Sequence, residues 1–178
     1  MQKETEKVLR IGDYVTFTNG KFHGMLCAEG ILVEQVILRG DITTLDDALY
    51  CIHLQRQYSA AREFEEFMAS EHDEDPNDAS LKRYTAALRK GRDNETKLND
   101  NYMDKKMGEP VKFGDIIQLF HIKSGKYLTV SPTILANDER ENMSVMLNSH
   151  GNVYSWLIVT PRFKIDREGD VVQDASEM

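Results

Sequence analysis

A chain of 178 residues with 40% hydrophobic and 29% charged side chains is long enough to bury a core, and its composition is that of an ordinary soluble globular domain. Its net charge of −8 argues against a general nucleic-acid binder, which presents a basic face, and no run approaches the ~18 apolar residues of a membrane-spanning helix. The opening MQKETEKVLRIGD is charged and lacks an apolar core, so it does not read as a secretory signal, and Cys27 and Cys51 read as buried reduced thiols.

Residues 1–9 form a polar lead. Residues 11–17 alternate loosely as a first strand, 18–21 supply a turn, and 22–27 form the next strand. The run GILVEQVIL, residues 30–38, is apolar enough to predict a strand buried on both faces. Arg39-Gly40-Asp41 has the letters of an adhesion motif but reads as a plain turn. Residues 48–54, ALYCIHL, complete the lobe as a strand, with a short helical segment as the alternative.

The character changes at Tyr58. Ser59 can cap a helix in which Ala60, Phe64, Phe67 and Met68 recur at helical spacing. The acidic stretch EHDEDPND, residues 71–78, lacks the alternating ligands and central glycine of a calcium loop and reads as a solvated turn. A second helix is predicted from residue 80 towards 107, stopped by Gly108 and Pro110. Leu81, Tyr84, Leu88, Gly91, Glu95, Leu98 and Tyr102 form its single seam, which Gly91 and Glu95 weaken midway.

Residues 111–130, VKFGDIIQLFHIKSGKYLTV, read as two strands joined by a turn in which Gly125 takes a positive φ. His121 reads as fixing its own turn by hydrogen bonding. Residues 131–142 read as loop, 143–147 as a short strand and 148–152 as a turn. Residues 154–159 form a strand whose Trp156, the one tryptophan, is expected in the core.

A Gly-Asp pair followed by two strand formers occurs at Gly12-Asp13, Gly114-Asp115 and Gly169-Asp170. Three starts of one unit indicate a threefold repeat of strands, and the wider first interval leaves about 47 extra residues in the first unit. The helical pattern over residues 59–107 is close to that excess. The expectation is therefore a mainly β fold, a β-trefoil with an inserted helix-turn-helix arm at 59–107, forming one domain over residues 1–178. The chain ends soon after the third Gly-Asp, so the third lobe is read as truncated and the chain as a piece of a longer protein.

No phosphate-binding glycine loop, nucleophile elbow or metalloprotease helix occurs, and the five histidines are scattered singly. The sequence therefore predicts no enzyme, no catalytic or ligand-binding residues, no metal and no cofactor.

The residues Leu9-Arg10-Ile11-Gly12-Asp13, Gln57-Tyr58-Ser59-Ala60 and Asn94-Glu95-Thr96 carry a resemblance to a known family, as do residues 114–130, Ser155-Trp156 and Pro161-Arg162-Phe163-Lys164. Collinear over almost the whole chain, they resemble the cytosolic N-terminus of inositol trisphosphate receptors, with ryanodine receptors as a more distant branch. The resemblance implies a β-trefoil with a protruding helical arm that does not itself bind inositol trisphosphate. It implies a regulatory (suppressor) domain that lowers the affinity of the adjoining ligand core and couples ligand binding to opening of a tetrameric calcium channel.

The partners so implied are the ligand core, the neighbouring subunits and calcium-sensor or adaptor proteins, with neither nucleic acid nor membrane touched by this segment. The place implied is the cytoplasmic side of the endoplasmic reticulum membrane. An interdomain and gating surface is implied at Phe163, Ile31, Leu32 and Lys123. Glu29 and Val33 depart from the family pattern around Ile31 and Leu32, and Phe163 stands where the family has a tyrosine. The alternative is a stand-alone β-trefoil module that binds a protein or a carbohydrate.

Overall fold

A computed structural model describes residues 8–21, 23–28, 34–41, 44–70, 78–137, 141–161 and 167–173. Among them the chain divides into two compact units, a β-rich body (Met1–Gln55 with Lys106–Met178) and a helical unit (Arg56–Lys105).

The body is antiparallel and mainly β. One sheet contains β1 (Tyr14–Val15), β5 (Tyr50–Leu54), β6 (Ile116–His121), β7 (Lys126–Leu135) and β8 (Met143–Asn148) in that order, and β9 (Leu157–Ile158) pairs with β6. A second sheet has the order β2 (Thr18–Asn19), β3 (Gly24–Cys27), β4 (Ile37–Arg39). Strand β6, IIQLFH, bonds to β5, β7 and β9, which is why it is buried almost throughout. With its neighbours it buries Ile52, Leu119, Leu128 and Leu147 in the apolar core, and full burial of each such side chain is worth about 2 kcal/mol. Cys27 and Cys51 lie in the same core as free thiols, with burial raising the pKa of each.

Three turns share one local design. In each, the aspartate N–H donates to the carbonyl three residues back, and its carboxylate accepts that same residue's N–H. The pairs are Asp13 with Arg10 (3.1 and 2.9 Å), Asp115 with Lys112 (3.1 and 2.8 Å) and Asp170 with Arg167 (3.0 and 2.9 Å). The glycine before each aspartate has φ of 90 to 99°, a region closed to most side chains, which explains the Gly-Asp pair.

The chain segments at these turns are knitted into a ring. Leu9 N–H donates to the Val172 carbonyl (3.0 Å), Val172 N–H to the Val111 carbonyl (2.9 Å), and Val111 N–H to the Leu9 carbonyl (2.8 Å). The ring also corrects the repeat register. Gly12 and Gly114 follow their ring residues by three positions, whereas Gly169 precedes Val172 by three, the place that Gly108 takes before Val111. The third Gly-Asp copies the turn but not its place in the repeat.

Three further expectations change. Residues 131–135 are not loop. Strand β7 continues past a bulge after Val130 to pair Leu135 with Met143, and Ser131 Oγ accepts the Ile134 N–H (3.0 Å) where Pro132 offers no donor. The described part of the GILVEQVIL run is not buried on both faces, because β4 is an edge strand bonded within its sheet only to β3, and Ile37 and Leu38 are exposed. Trp156 is half-buried rather than enclosed, one residue after a 3-10 turn (Val153–Ser155) boxed by Asn152 and the fully buried Ser155.

The helical unit holds α1 (Ser59–Ala69) and most of α2 (Ala79–Lys106). Ser59 is the first helical residue and Tyr58 takes the N-cap position without a side-chain capping bond. The capping oxygens come from the other helix instead. The Glu95 carboxylate accepts the N–H groups of Ala60 and Ala61 (3.0 Å each), and Asn99 accepts the Gln57 N–H (2.9 Å) and donates to its carbonyl (2.8 Å). A Cβ at Gly91, read as a weak point, would meet only Ala60 Cβ at 3.9 Å, an ordinary contact, so the packing there does not call for glycine. The buried stripe of α2 leaves the expected seam after Glu95. Asn99 and Met103 lie on it, while Leu98 and Tyr102 are exposed. At its start, Asp78 accepts the Ser80 hydroxyl and the Ser80 N–H (2.8 Å), and these bonds, the hydroxyl's foremost, lower the aspartate's pKa. Among the described residues no helix is long and apolar enough to cross a membrane.

Candidate functional site

The one expected site residue that the structure describes is Lys123; Ile31, Leu32 and Phe163 lie outside the described residues. Lys123 sits in the β6–β7 hairpin loop. Gly125 turns that loop with φ of 67° and returns its N–H to the His121 carbonyl (3.0 Å). The loop is fastened to a 3-10 helix, Leu45–Ala48, through Asp47. Lys123 Nζ donates to Asp47 Oδ1 (2.5 Å), and Thr44 Oγ1 donates to Asp47 Oδ2 (2.6 Å). Asp47 is 9% exposed at its side chain and Lys123 is 31% exposed, so this ion pair is shielded on the acidic side and wet on the basic side.

His121 completes the fastening from within the core. Its Nε2 faces the Asp47 carbonyl (3.1 Å), which only accepts, so Nε2 carries the proton; Nδ1 then accepts from the Ser124 hydroxyl (2.8 Å). Burial, reinforced by Lys123, lowers the His121 pKa and outweighs the Asp47 carbonyl and carboxylate, which raise it. The neutral imidazole thus bolts its own hairpin, as its position in the sequence suggests, and a second element besides. The Tyr50 ring packs against it (5.2 Å between centroids), with Phe17 edge-on beyond (6.1 Å). The Tyr50 hydroxyl is buried and has no hydrogen-bond partner among the described residues, and burial, then Cys27, raises its pKa far above the ordinary phenol value.

The residues that flank the stretch containing Ile31 and Leu32 are also tied down, Ala28 by Asp47 and Glu34 by strands β7 and β8. On one side the Ala28 N–H donates to the Asp47 carbonyl (2.9 Å). On the other, the Glu34 carbonyl accepts the Leu147 N–H (2.6 Å), and the Glu34 carboxylate takes Lys126 Nζ (3.0 Å). Asp47 was not singled out from sequence, although Thr44-Leu45-Asp46-Asp47 has the T-x-x-D spacing of a helix start.

Chemically this is a fastening between the β6–β7 hairpin and the 3-10 helix. Among the described residues no three His, Cys, Asp or Glu side chains are placed to hold a metal ion. The cations Lys123, Lys126 and Arg39 are each held by a carboxylate rather than converging on a common anion.

A family model described as inositol 1,4,5-trisphosphate/ryanodine receptor matches residues 4–177. Among curated proteins, the inositol 1,4,5-trisphosphate receptor itr-1 of Caenorhabditis elegans is 35% identical over 91 residues, which cover 51% of this chain and 3% of that receptor. The match thus takes in a small part of a much longer relative.

Proposed function

The chain belongs to the inositol 1,4,5-trisphosphate/ryanodine receptor family, and from that premise we propose that it is the N-terminal regulatory domain of a ligand-gated calcium-release channel. In this reading it tempers inositol trisphosphate binding by an adjoining core and couples that binding to gating, without catalysis of its own. The observation that carries the reading is the disposition of cations around the hairpin. A trisphosphate site needs converging Lys and Arg, whereas Lys123 and Lys126 are held by Asp47 and Glu34.

The fold is proposed as a β-trefoil, supported by the three-bond ring and the recurrent aspartate turns, with residues 59–107 as an arm inserted in its first lobe. Phe163, Ile31 and Leu32 are proposed as the interdomain surface. Lys123 contributes to it by holding the hairpin against the 3-10 helix. The partners are the ligand core and neighbouring subunits of a tetramer, and the place is the cytoplasmic side of the endoplasmic reticulum membrane.

The test is Phe163→Ala in the full-length channel, with ligand affinity and calcium release measured together and circular dichroism run on the isolated variant chain. The expected result is an intact fold, nearly unchanged affinity and reduced release. Normal release, or an unfolded variant, removes Phe163 from the coupling surface.

A further inference from the structure

The face of α2 that carries the fewest apolar residues has an order of its own. Arg83, Lys90 and Lys97 recur at intervals of seven, so with about 100° per residue they stay within about 40° of one line and span roughly 21 Å along the helix. Lys82 and Arg89 form a second row beside them, also seven apart. All five are exposed, and Arg83, Arg89, Lys90 and Lys97 make no ion pair with any described residue. In a chain of net charge −8 such a ladder of cations stands out. Along its other flank, Leu98 and Tyr102 lie one turn apart and are 68% and 51% exposed, having left the buried stripe that Asn99 and Met103 occupy.

We infer that this face of α2 is a docking surface for an acidic α-helix of another protein, with carboxylates at heptad spacing opposite Arg83, Lys90 and Lys97 and an apolar residue over Leu98 and Tyr102. The charge pattern selects the occupant. A lipid headgroup plane is uniformly negative and would press on Asp93 and Asp104, which project from the same side of the helix. A partner helix can face those two with cations or small residues while matching the cations in register. The seven-residue interval is that of two helical turns, and a Leu–Tyr pair one turn apart is the anchor that helix packing requires. The inference rests on α2 alone and stands independently of the channel reading.

The test uses the whole chain and a synthetic helical peptide with glutamates every seventh residue and one leucine on their flank. The comparisons are a scrambled peptide of the same composition, an unstructured polyglutamate and vesicles of phosphatidylcholine with phosphatidylserine. The heptad peptide is expected to bind, to weaken by about tenfold in the Arg83→Gln/Lys90→Gln/Lys97→Gln variant, and to weaken with rising salt. Leu98→Ser should weaken it as well, and circular dichroism should show unchanged helix in both variants. Equal binding of the scrambled peptide or polyglutamate, binding to vesicles instead, retention of binding in the triple variant, or no binding at all each overturns the inference.

Discussion

Removing the Glu95 carboxylate should loosen α1 although Glu95 belongs to α2. The first turn of α1 has no acidic residue and its N-cap Tyr58 makes no side-chain capping bond, so Glu95 supplies the anion that the helix start calls for. Two bonds at 3.0 Å to a charged acceptor are worth about 1.5–3 kcal/mol each when fully shielded. The site is part-buried, so water recovers much of this, and alanine slightly favours α2 as a helix former; about 2 kcal/mol is the expected net cost of Glu95→Ala. Glu95→Gln keeps an acceptor without the charge and should cost about half as much. Urea unfolding of the wild type and both variants gives the stability, and amide hydrogen exchange at Ala60 and Ala61 gives the local effect. If Glu95→Ala unfolds within about 0.5 kcal/mol of wild type and the two amides exchange no faster, the capping role assigned to Glu95 is wrong.

Lys123→Met leaves the shielded Asp47 carboxylate without its cation and should cost about 2 kcal/mol, with Asp47→Asn in the same chain recovering part of it in a double-mutant cycle. Tyr50→Phe removes a buried hydroxyl that has no partner and should leave stability unchanged or raise it by about 1 kcal/mol, read from thermal unfolding. The His121 pKa is lowered in the folded state, so below its ordinary value of 6.5 the unfolded chain takes up a proton that the native imidazole resists. Stability is therefore complete above that value and declines as pH falls from it towards the folded pKa. Denaturation midpoints at pH 7.5 and 5.5 should show a larger drop for wild type than for His121→Gln. Calorimetry of the isolated chain with inositol trisphosphate should show no saturable micromolar binding, and saturable binding would contradict the regulatory reading.

What the sequence makes legible here is local. The positive φ of Gly125, the stop at Gly108 and the existence of α1 and α2, though not the full course of the α2 seam, follow from chain chemistry within a few residues. The extension of β7 does not, because Pro132 and Ser131 read as loop residues until a bulge places the proline where no donor is needed. Glu95 reads as a flaw in a seam because its use lies 34 and 35 positions back, at the start of another helix. The fastening of the hairpin is illegible for the same reason. Lys123 and Asp47 are 76 positions apart, and no periodicity records a single long-range ion pair. The Gly-Asp repeat is instructive in the opposite sense, since the turn chemistry is real at all three positions and only the partner strands reveal which copies are equivalent.

The ring of Leu9, Val111 and Val172 fixes the ends of each stretch of chain and nothing about what lies between them. From Leu9 to Val111 the chain makes an excursion that contains the whole helical unit, while from Val111 to Val172 it makes a much shorter one, yet both return to bonds of similar length (2.8 and 2.9 Å). Such a base behaves like a clasp. Its strength does not depend on how much thread runs out and back, since lengthening a closed loop adds only logarithmically to its entropy cost. Growth of a lobe by insertion is therefore nearly free for the frame, whereas losing any one of the three segments leaves an unmatched donor and an unmatched acceptor on the other two.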